Sequence, residues 1–351
     1  MSRAPVLSLG DRLVGADSPC LLIAEVAQAH DGSLGMAHAF LDAAAEAGAD
    51  AIKFQTHLAE AESTLDEPFR IAFSRQDESR YAYWRRMQFT AEQWAGLAEH
   101  ARQRGLLFLS SPFSEAAVRL LADLGVPGWK VGSGEALGSA LVEAMVAAGG
   151  PILLSTGMSR WQEIDAAVAS LEQRGVPHAL LQCTSRYPTP LEEVGLNVLA
   201  QMRQRYRCPV GLSDHSGSIF PALAALARGC DLLEVHVTFD RRMFGPDASA
   251  SLTFEEFSRI RQARDAFQQI DGHPVDKDAM AESMATMRAT FGKSLAPARV
   301  LEAGTVLDAS MIVMKKPATG LQASDLDTVL GRRLVRTVHP ERLLQWSDLE
   351  P

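Results

Sequence analysis

The segment LLIAEVAQAHDGSLGMAHAFLDAAAEAGADAIKFQ, residues 21–55, contains one complete structural repeat. It begins with the apolar run LLIAEVA, passes through polar residues into an alanine-rich segment between Met36 and Ala47, and ends with a second apolar run, AIKFQ. Short apolar runs that alternate with helix-like segments are typical of parallel strands buried on both faces. The segment therefore predicts a strand–helix–strand unit of a parallel sheet.

The same alternation continues along most of the chain. Six more apolar runs follow: LLFLS from Leu106, WKVGS from Trp129, ILLS from Ile152, ALLQC from Ala179, VGLS from Val210 and LLEVHV from Leu232. Eight such units favour an α/β fold of the closed (β/α)8 TIM barrel type over an open doubly wound sheet. The stretch from Thr56 to Arg86 is polar and aromatic without a clear period, and we expect a long loop over the barrel mouth there.

The end of the chain has a different pattern. From Ser294 onward, short β-rich runs are separated by glycine and proline turns, which predicts a small, separate β-rich domain. We therefore divide the chain into a barrel domain over residues 1–272, a linker over 273–293 and a C-terminal domain over 294–351. A domain this small has little core of its own.

Composition narrows the class of protein. The 351 residues include 34 lysines and arginines against 43 acidic residues, a net charge of −9, which argues against a nucleic-acid surface. No apolar run approaches the ~20 residues of a membrane-spanning helix, and the first residues contain no apolar core of a secretory signal. The four cysteines are scattered without a CxxC pair. We expect a reduced, cytoplasmic enzyme without disulfides or a thiolate zinc site.

Every predicted strand carries polar residues at or near its carboxyl end. They are Glu25, Lys53, Gln55, Ser110, Ser111, Lys130, Ser133, Ser155, Thr156, Thr184, Tyr187, Ser213, His215, Glu234 and His236. One serine at a strand end is more often a turn residue or a helix cap. Polar ends on all eight strands are hard to explain by capping, and the carboxyl ends of barrel strands build active sites. This predicts an active site at the barrel mouth.

Two lysines, Lys53 and Lys130, lie inside apolar runs, where a charge is costly unless an anion neutralises it. One interpretation is an internal ion pair with a nearby carboxylate: Glu25, Glu135 or Glu234. The other is a bound phosphate or carboxylate, held with the help of backbone N–H groups and the hydroxyls of Ser133, Ser155 and Ser213.

Two histidines, His215 and His236, follow neighbouring strands at the predicted mouth. Two histidines alone are more often a satisfied polar pair. Nearby Asp214 and Glu234, the latter on the same strand face as His236, favour a shared divalent metal instead. Such a site leaves positions open for water and substrate and suits Mn²⁺, Co²⁺ or Zn²⁺.

Six segments resemble, in the same order, the N-acetylneuraminate (sialic acid) synthase family. They are IAEVAQAHDGSLGMAHAFLDAAAEAGADAIKFQTH, KVGSGE, ILLSTGMS, QCTSRYPTP, GLSDHSGS and EVHVTFDRRMFGPDASASL. The tail from Ser294 resembles that family's antifreeze-like (SAF) domain. The resemblance implies a transferase that condenses phosphoenolpyruvate with an N-acylated amino sugar, N-acetylmannosamine or a relative. The reaction is metal-dependent, releases phosphate and forms a nonulosonic acid.

The resemblance also implies roles for individual residues. His215 and His236 would hold the metal, with Mn²⁺ preferred over Mg²⁺ or Co²⁺, and Glu25 and Glu234 would complete the catalytic group. Phosphoenolpyruvate would be held by Lys53, Ser111, Lys130, Ser133, Ser155, Ser185 and Ser213. The sugar would be held by Gln55, Tyr187, Asp247 and Lys316. In this family the SAF domain covers the partner's barrel mouth, so we expect a domain-swapped homodimer with only small-molecule substrates besides, and neither nucleic acid nor membrane as a partner.

Some positions depart from the family pattern. The usual Gly-x-Asn-His is Ala27-Gln28-Ala29-His30 here, so an amide is missing at Ala29. The usual Glu-Lys-His is Glu234-Val235-His236, and Gly-Pro-Asp-His ends in Ala248. Lys316 replaces an arginine that normally meets the N-acyl group, and lysine lacks its bidentate contact. The sugar is therefore open among sialic, legionaminic, pseudaminic and deaminated types.

Two other functions stay open. A related enzyme could use another aldose or an aldose phosphate, for which Arg186, Arg241 and Arg242 could supply a second cationic cluster. A non-catalytic sugar-binding scaffold would account for Ala29 and Ala248, although the retained lysines and histidines argue against it. A lysine Schiff-base aldolase is disfavoured by the hydroxyls near both lysines.

Overall fold

A computed structural model describes residues 6–15, 18–71, 73–135 and 140–351. Parts of the predicted barrel domain at residues 1–5, 16–17, 72 and 136–139 lie outside the described residues. The chain divides into two compact units between Gly272 and His273. None of the helices in the described ranges is both long and apolar enough to cross a membrane.

The first unit contains a hairpin and a parallel barrel. The hairpin consists of antiparallel β1 (Val6–Leu9) and β2 (Arg12–Gly15). The barrel strands are β3 (Leu21–Ala27), β4 (Ala51–Thr56), β5 (Leu107–Pro112), β6 (Trp129–Val131), β7 (Ile152–Ser155), β8 (His178–Cys183), β9 (Val210–Asp214) and β10 (Leu232–Thr238). A short strand, β11 (Leu252–Thr253), pairs in parallel with β10.

The eight barrel strands are hydrogen-bonded in the order β5-β4-β3-β10-β9-β8-β7-β6. The two end strands, β5 and β6, lie side by side, so the sheet is nearly closed. This confirms the predicted (β/α)8 barrel, and each of the eight apolar runs forms one of its strands.

Helices follow the strands. They are α1 (Leu34–Glu46), α2 (Ala59–Glu62), α3 (Arg80–Met87), α4 (Ala91–Gln103), α5 (Glu115–Asp123), α6 (Ala140–Ala148), α7 (Trp161–Gln173), α8 (Leu196–Arg205), α9 (Ile219–Leu226) and α10 (Phe254–Asp271). The segment expected to be a loop after Thr56 instead contains α2 and most of α3. Tyr83, Trp84 and Met87 on α3 are buried together with Ala59. The helices are too short for their apolar period to stand out in the sequence.

The barrel interior changes from apolar to polar along the strands. Because alternate residues of a strand point to the same side, Leu21 and Ile23 of β3 point inward together with Glu25. The inward residues near the amino ends of the strands, such as Leu21 and Ile23, form an apolar, buried layer. The hairpin residues Leu7 and Leu9 pack against this layer. The next inward position on each strand is where the predicted site residues lie, so the barrel floor supports a polar pocket above it.

The second unit is small and contains an antiparallel strand pair. Its elements are α11 (Lys277–Ser283), α12 (Ala285–Phe291), β12 (Ser294–Pro297), β13 (Ile312–Lys315) and α13 (Leu326–Val329). A core of leucines and valines, including Leu295, Leu307 and Leu344, holds it together. The segment expected to be a linker, 273–293, contains α11 and α12 and falls within this unit.

Candidate active site

Side chains from all eight barrel strands enclose a polar pocket of about 60 Å³ at the carboxyl end of the sheet. Most of the predicted site residues line it: Glu25, Lys53, Gln55, Ser111, Lys130, Ser133, Ser155, Tyr187, Ser213, His215, Glu234 and His236. We call this space the inner pocket. Residues from distant parts of the chain meet here because parallel barrel strands end at one rim.

A wider cleft of about 350 Å³ adjoins the inner pocket, since Gln55, Ser133, Tyr187 and His236 line both. We call it the outer cleft. The predicted residues Ser185 and Asp247 line this cleft. Its walls are aromatic, formed by Phe69, Phe73, Tyr83, Trp84 and Phe113. Polar groups at the base and flat apolar walls are what a sugar-sized ligand needs.

Lys316, the remaining predicted residue, belongs to the second unit. Its ammonium nitrogen lies 5.2 Å from the centroid of the Phe291 ring. It also lines a cleft of that unit together with Lys315 and Arg336.

The two buried lysines form ion pairs with two carboxylates. Lys53 Nζ lies 2.8 Å from Glu25 Oε2 and 3.9 Å from Glu234 Oε2, and Lys130 Nζ lies 3.3 Å from Glu234 Oε1. The internal ion pairs considered from the sequence are therefore present, with Glu25 and Glu234. Each lysine also donates to a serine of the pocket wall, Lys53 to Ser111 at 3.4 Å and Lys130 to Ser155 at 2.7 Å.

The two carboxylates differ in their electrostatic surroundings. Burial raises the pKa of Glu25 to about 7, although Lys53 opposes the shift. Burial also acts to raise the pKa of Glu234, but Lys130 and Lys53 outweigh it and lower this pKa to about 2. Ser213 adds a hydrogen bond to Glu234 Oε1 at 2.8 Å. Glu234 thus stays ionised, whereas Glu25 exchanges a proton near neutral pH.

His215 and His236 lie together at the rim, with ring centroids 5.1 Å apart. Burial lowers the pKa of both to about 3, so both imidazoles are neutral at physiological pH. His215 Nδ1 lies 3.2 Å from the carbonyl oxygen of Thr184. A carbonyl only accepts, so Nδ1 carries the proton and Nε2 keeps its lone pair.

This donor set fits a divalent metal that takes its remaining ligands from substrate and water. Within the described ranges, no group of three or more histidine, cysteine, aspartate and glutamate side chains is arranged to hold a metal ion by itself. Asp247 places a further carboxylate at the rim, with Oδ2 at 4.0 Å from His236 Nδ1.

The sequence interpretation missed three residues of the site. Gln28 lines the outer cleft and is buried, so an amide is present one position before Ala29. The ring of His57 is stacked between Trp84 at 3.8 Å and Phe113 at 4.4 Å. Gln28 and His57 both lie inside the first segment quoted for the family resemblance. The amide side chain in AQAH could have indicated Gln28 as a site residue.

Arg70, the third missed residue, comes from the segment after α2. It donates to Asp247 at 2.6 Å, and its guanidinium lies 4.1 Å from the centroid of the Tyr187 ring. This contact joins two of the predicted sugar residues. No period or motif in the sequence indicated it.

The arginines suggested for a phosphorylated acceptor are paired with carboxylates. Arg186 contacts Glu193, Arg241 contacts Glu256 and Arg242 contacts Asp240. Among the described residues, the cations that line the outer cleft are Arg70 and Arg80. Arg80 Nε lies 3.2 Å from Glu67 Oε1.

Known proteins share this architecture. The NeuB family profile matches residues 40–276, and the SAF domain profile matches residues 292–350. The chain is 30% identical to the N,N'-diacetyllegionaminic acid synthase of Campylobacter jejuni, over 93% of this chain and 98% of that protein. It is 30% identical to human N-acetylneuraminate-9-phosphate synthase, over 94% of this chain and 92% of that protein.

A solved structure is similar as well. The N-acetylneuraminic acid (sialic acid) synthetase from Leptospira borgpetersenii has a TM-score of 0.71 and 28% identity, covering 82% of this chain and 98% of that one. These matches confirm the resemblance drawn from the six motifs and the tail. The chain therefore belongs to the NeuB family of sialic acid synthases and carries a C-terminal SAF domain.

Proposed function

We propose that this protein condenses phosphoenolpyruvate with the aldehyde form of an N-acylated amino sugar and releases phosphate and a nonulosonic acid. One observation carries the proposal: a small polar pocket with two buried lysines opens into a wider cleft with aromatic walls. The names of the relatives, a legionaminic acid synthase and a sialic acid phosphate synthase, support the same reaction class.

The inner pocket suits the anionic substrate. Lys53 and Lys130 offer two ammonium groups, and Ser111 and Ser155 place hydroxyls beside them. Ser213 lines the same pocket and donates to Glu234. Phosphoenolpyruvate carries a phosphate and a carboxylate, each of which accepts charge-assisted hydrogen bonds. When the anion enters, a proton taken up by Glu25 releases Lys53 from its ion pair and offsets one unit of the added negative charge.

His215 and His236 would hold a divalent metal, with Mn²⁺ preferred over Mg²⁺ or Co²⁺. When bound, such an ion acts as a Lewis acid on the aldehyde oxygen of the acceptor. The protein contributes two neutral imidazoles, one of which has its tautomer set by the Thr184 carbonyl.

In the reaction itself, C3 of the enol forms a bond to the aldehyde carbon, and the aldehyde oxygen gains a proton to become a hydroxyl. Positive charge develops at C2, and water adds there with loss of a proton to leave a hydroxyl. The bond from C2 to the phosphate oxygen then breaks, and phosphate leaves with the bonding electron pair. The C2 hydroxyl becomes the ketone carbonyl as its proton passes to the phosphate. Glu25, whose pKa is about 7, lies in the pocket wall where it can hold or release such a proton. Glu234 stays ionised and stabilises the charge developing at C2.

We propose an acceptor without a phosphate group. The three arginines suggested for a phosphorylated acceptor already pair with Glu193, Glu256 and Asp240. The two arginines that line the outer cleft, Arg70 and Arg80, also pair with carboxylates, Asp247 and Glu67. The rest of the cleft offers amides and aromatic faces. Among sialic, legionaminic, pseudaminic and deaminated products, N-acetylneuraminate is the first to test.

We also propose a cytoplasmic, domain-swapped homodimer in which the SAF domain of one chain covers the barrel mouth of its partner and brings Lys316 to the acceptor. All four cysteines are buried free thiols, as in a reducing compartment. Light scattering tests the dimer. Mixing a Lys130→Met chain with a Lys316→Ala chain should restore part of the activity if each mouth uses the other chain's SAF domain.

The function itself is tested with purified protein, phosphoenolpyruvate, Mn²⁺ and a panel of 2-acetamido and 2,4-diacetamido sugars, each with and without a terminal phosphate. We expect phosphate release that requires both substrates, and a new acid whose mass equals the sum of the pyruvyl unit and the sugar. Product only from phosphorylated sugars would overturn the acceptor assignment. Binding of sugar without any phosphate release would indicate a non-catalytic scaffold.

A further inference from the structure

A continuous chain of hydrogen bonds links the segment after β4 to the catalytic carboxylate. His57 Nδ1 lies 2.5 Å from Glu62 Oε1 on α2, and His57 Nε2 lies 2.8 Å from Gln28 Nε2. Gln28 Nε2 also donates to Gln55 Oε1 at 2.5 Å. Gln55 Nε2 then donates to Glu25 Oε1 at 2.9 Å.

The chemistry of these groups sets the direction of every bond. An amide nitrogen only donates, so both hydrogens of Gln28 Nε2 are used, one on His57 Nε2 and one on Gln55 Oε1. His57 Nε2 is therefore an acceptor, and its proton lies on Nδ1, which faces the Glu62 carboxylate. Gln55 consequently presents its oxygen to Gln28 and its nitrogen to Glu25.

The backbone places Gln28 where this contact can form. The β3–β4 ladder has an irregularity after Glu25: Glu25 pairs with Lys53, but the next pair is Ala27 with Phe54. Val26 is thus an extra residue on β3, a β-bulge. Ala27 has a φ of 48°, in the left-handed region. Gln28 follows directly after this shifted pair, and its side-chain amide reaches Gln55 Oε1.

His57 is itself held in place. Its ring lies between Trp84 and Phe113, at 3.8 and 4.4 Å, and is buried. The Gln28 amide therefore has a rigid partner on one side and Gln55 on the other. Gln55 lines both the inner pocket and the outer cleft and keeps one N–H for a ligand. Its oxygen faces Gln28 Nε2 at 2.5 Å and His57 Nε2 at 3.2 Å.

We propose that Gln28 is a positioning residue for the acceptor sugar: held by His57, it fixes the amide of Gln55 in the one orientation that both supports Glu25 and receives the acceptor. Without Gln28, the Gln55 amide can rotate and exchange its donor and acceptor ends. The inference rests on the proposed function. In this proposal, the amide of Gln28 takes the place of the amide missing at Ala29 and acts through Gln55.

The test uses steady-state kinetics with phosphoenolpyruvate and an acceptor that the wild-type chain converts. Gln28→Met keeps the length of the side chain and removes its hydrogen bonds. We expect KM for the acceptor to rise about tenfold, the value of one hydrogen bond, while KM for phosphoenolpyruvate stays within about twofold. Gln201→Met, the same change at an exposed position of α8, is the matched control.

A double-mutant cycle separates positioning from a merely structural role. In a Gln55→Ala background, Gln28→Met should change KM for the acceptor by less than about twofold, because the group it orients is gone. His57→Phe keeps a ring between Trp84 and Phe113 but releases Gln28. It should raise the acceptor KM in the same way, and adding Gln28→Met should bring no further rise.

Wild-type kinetics for Gln28→Met, or an equal rise in both backgrounds, would overturn the inference. If Gln28→Met does not fold, as shown by its melting curve, Gln28→Leu in the two Gln55 backgrounds decides the same question. Absence of product from the wild-type chain overturns the proposed function instead. Failure of the inference and failure of the proposed function can be told apart, because the double-mutant cycle is measured only if the wild-type chain forms product.

Discussion

Glu25 and Lys53 are direct neighbours across the β3–β4 ladder, and Glu25 Oε2 lies 2.8 Å from Lys53 Nζ inside the barrel. Together with Lys130 and Glu234 they form a buried group of two cations and two anions. Such a group is balanced before any ligand arrives. A bound anion adds negative charge beside Glu25, whose pKa burial has already raised to about 7.

Binding of phosphoenolpyruvate should therefore take up protons. The added charge disfavours ionised Glu25 and raises its pKa further, so the carboxyl gains a proton at pH 8. The ligand's own phosphate, with a second pKa near about 6, is already ionised at that pH. Calorimetry in buffers of different ionisation enthalpy measures the uptake. Glu25→Gln should abolish it, and an unchanged uptake in this variant would contradict the assignment.

Lys130→Met should weaken phosphoenolpyruvate binding selectively. Lys130 Nζ donates to Ser155 and pairs with Glu234 in the inner pocket, away from the aromatic cleft. Loss of one charge-assisted contact, about 1.5–3 kcal/mol, predicts a rise in KM for phosphoenolpyruvate of roughly ten- to a hundredfold. The acceptor KM should change far less. Equal effects on both constants would count against an anion site, and the exposed Lys277→Met serves as control.

Replacing either rim histidine should abolish turnover and preserve the fold. His215→Ala and His236→Ala each leave one imidazole, too few to hold a divalent ion against water. Calorimetric titration with Mn²⁺ should show binding to the wild-type chain and none to the variants, while circular dichroism stays unchanged. Near-normal rates in the presence of EDTA would refute the metal role.

His30 should make the protein sensitive to acid. Burial is the main cause that lowers the pKa of His30 to about 3 in the folded chain, and the neighbouring His57 and the Arg86 guanidinium add to it. The unfolded chain binds this proton below about pH 6.5. The unfolded state thus binds more protons between these values, so the free energy of unfolding falls as pH falls through that window and is fully retained above it.

His30→Asn removes this titration while keeping an acceptor for the Gly32 N–H, which lies 3.1 Å from His30 Nδ1. The variant should be less stable at pH 7.5 because its smaller side chain packs less well against Phe89. Between pH 6 and 4, urea unfolding should show wild type losing about 1.4 kcal/mol per pH unit more than the variant. If wild type and His30→Asn lost the same free energy of unfolding over this pH range, the role of His30 would be contradicted. His339→Asn, an exposed change, is the control.

Much of the fold was predictable because the evidence for it is local. Apolar runs such as AIKFQ and ALLQC are short, bounded by polar residues and spaced by helix lengths, and each forms a barrel strand. The polar strand ends were predictable for the same reason. The helices after Thr56 were not, because their burial depends on aromatic contacts between residues far apart in the chain, such as Ala59 and Trp84.

By itself, the amino-acid sequence determined the eight strands, the change from apolar to polar inward positions and most of the residues that line the inner pocket, since period-two patterning and strand ends are properties of neighbouring residues. Only the tertiary structure decided which carboxylates pair with Lys53 and Lys130, and that Gln28 reaches Gln55. Those contacts depend on the register between strands, and the Gln28 contact also follows the extra residue at Val26. A slip of one residue between two strands turns their side chains to the opposite face and changes the partners across that ladder.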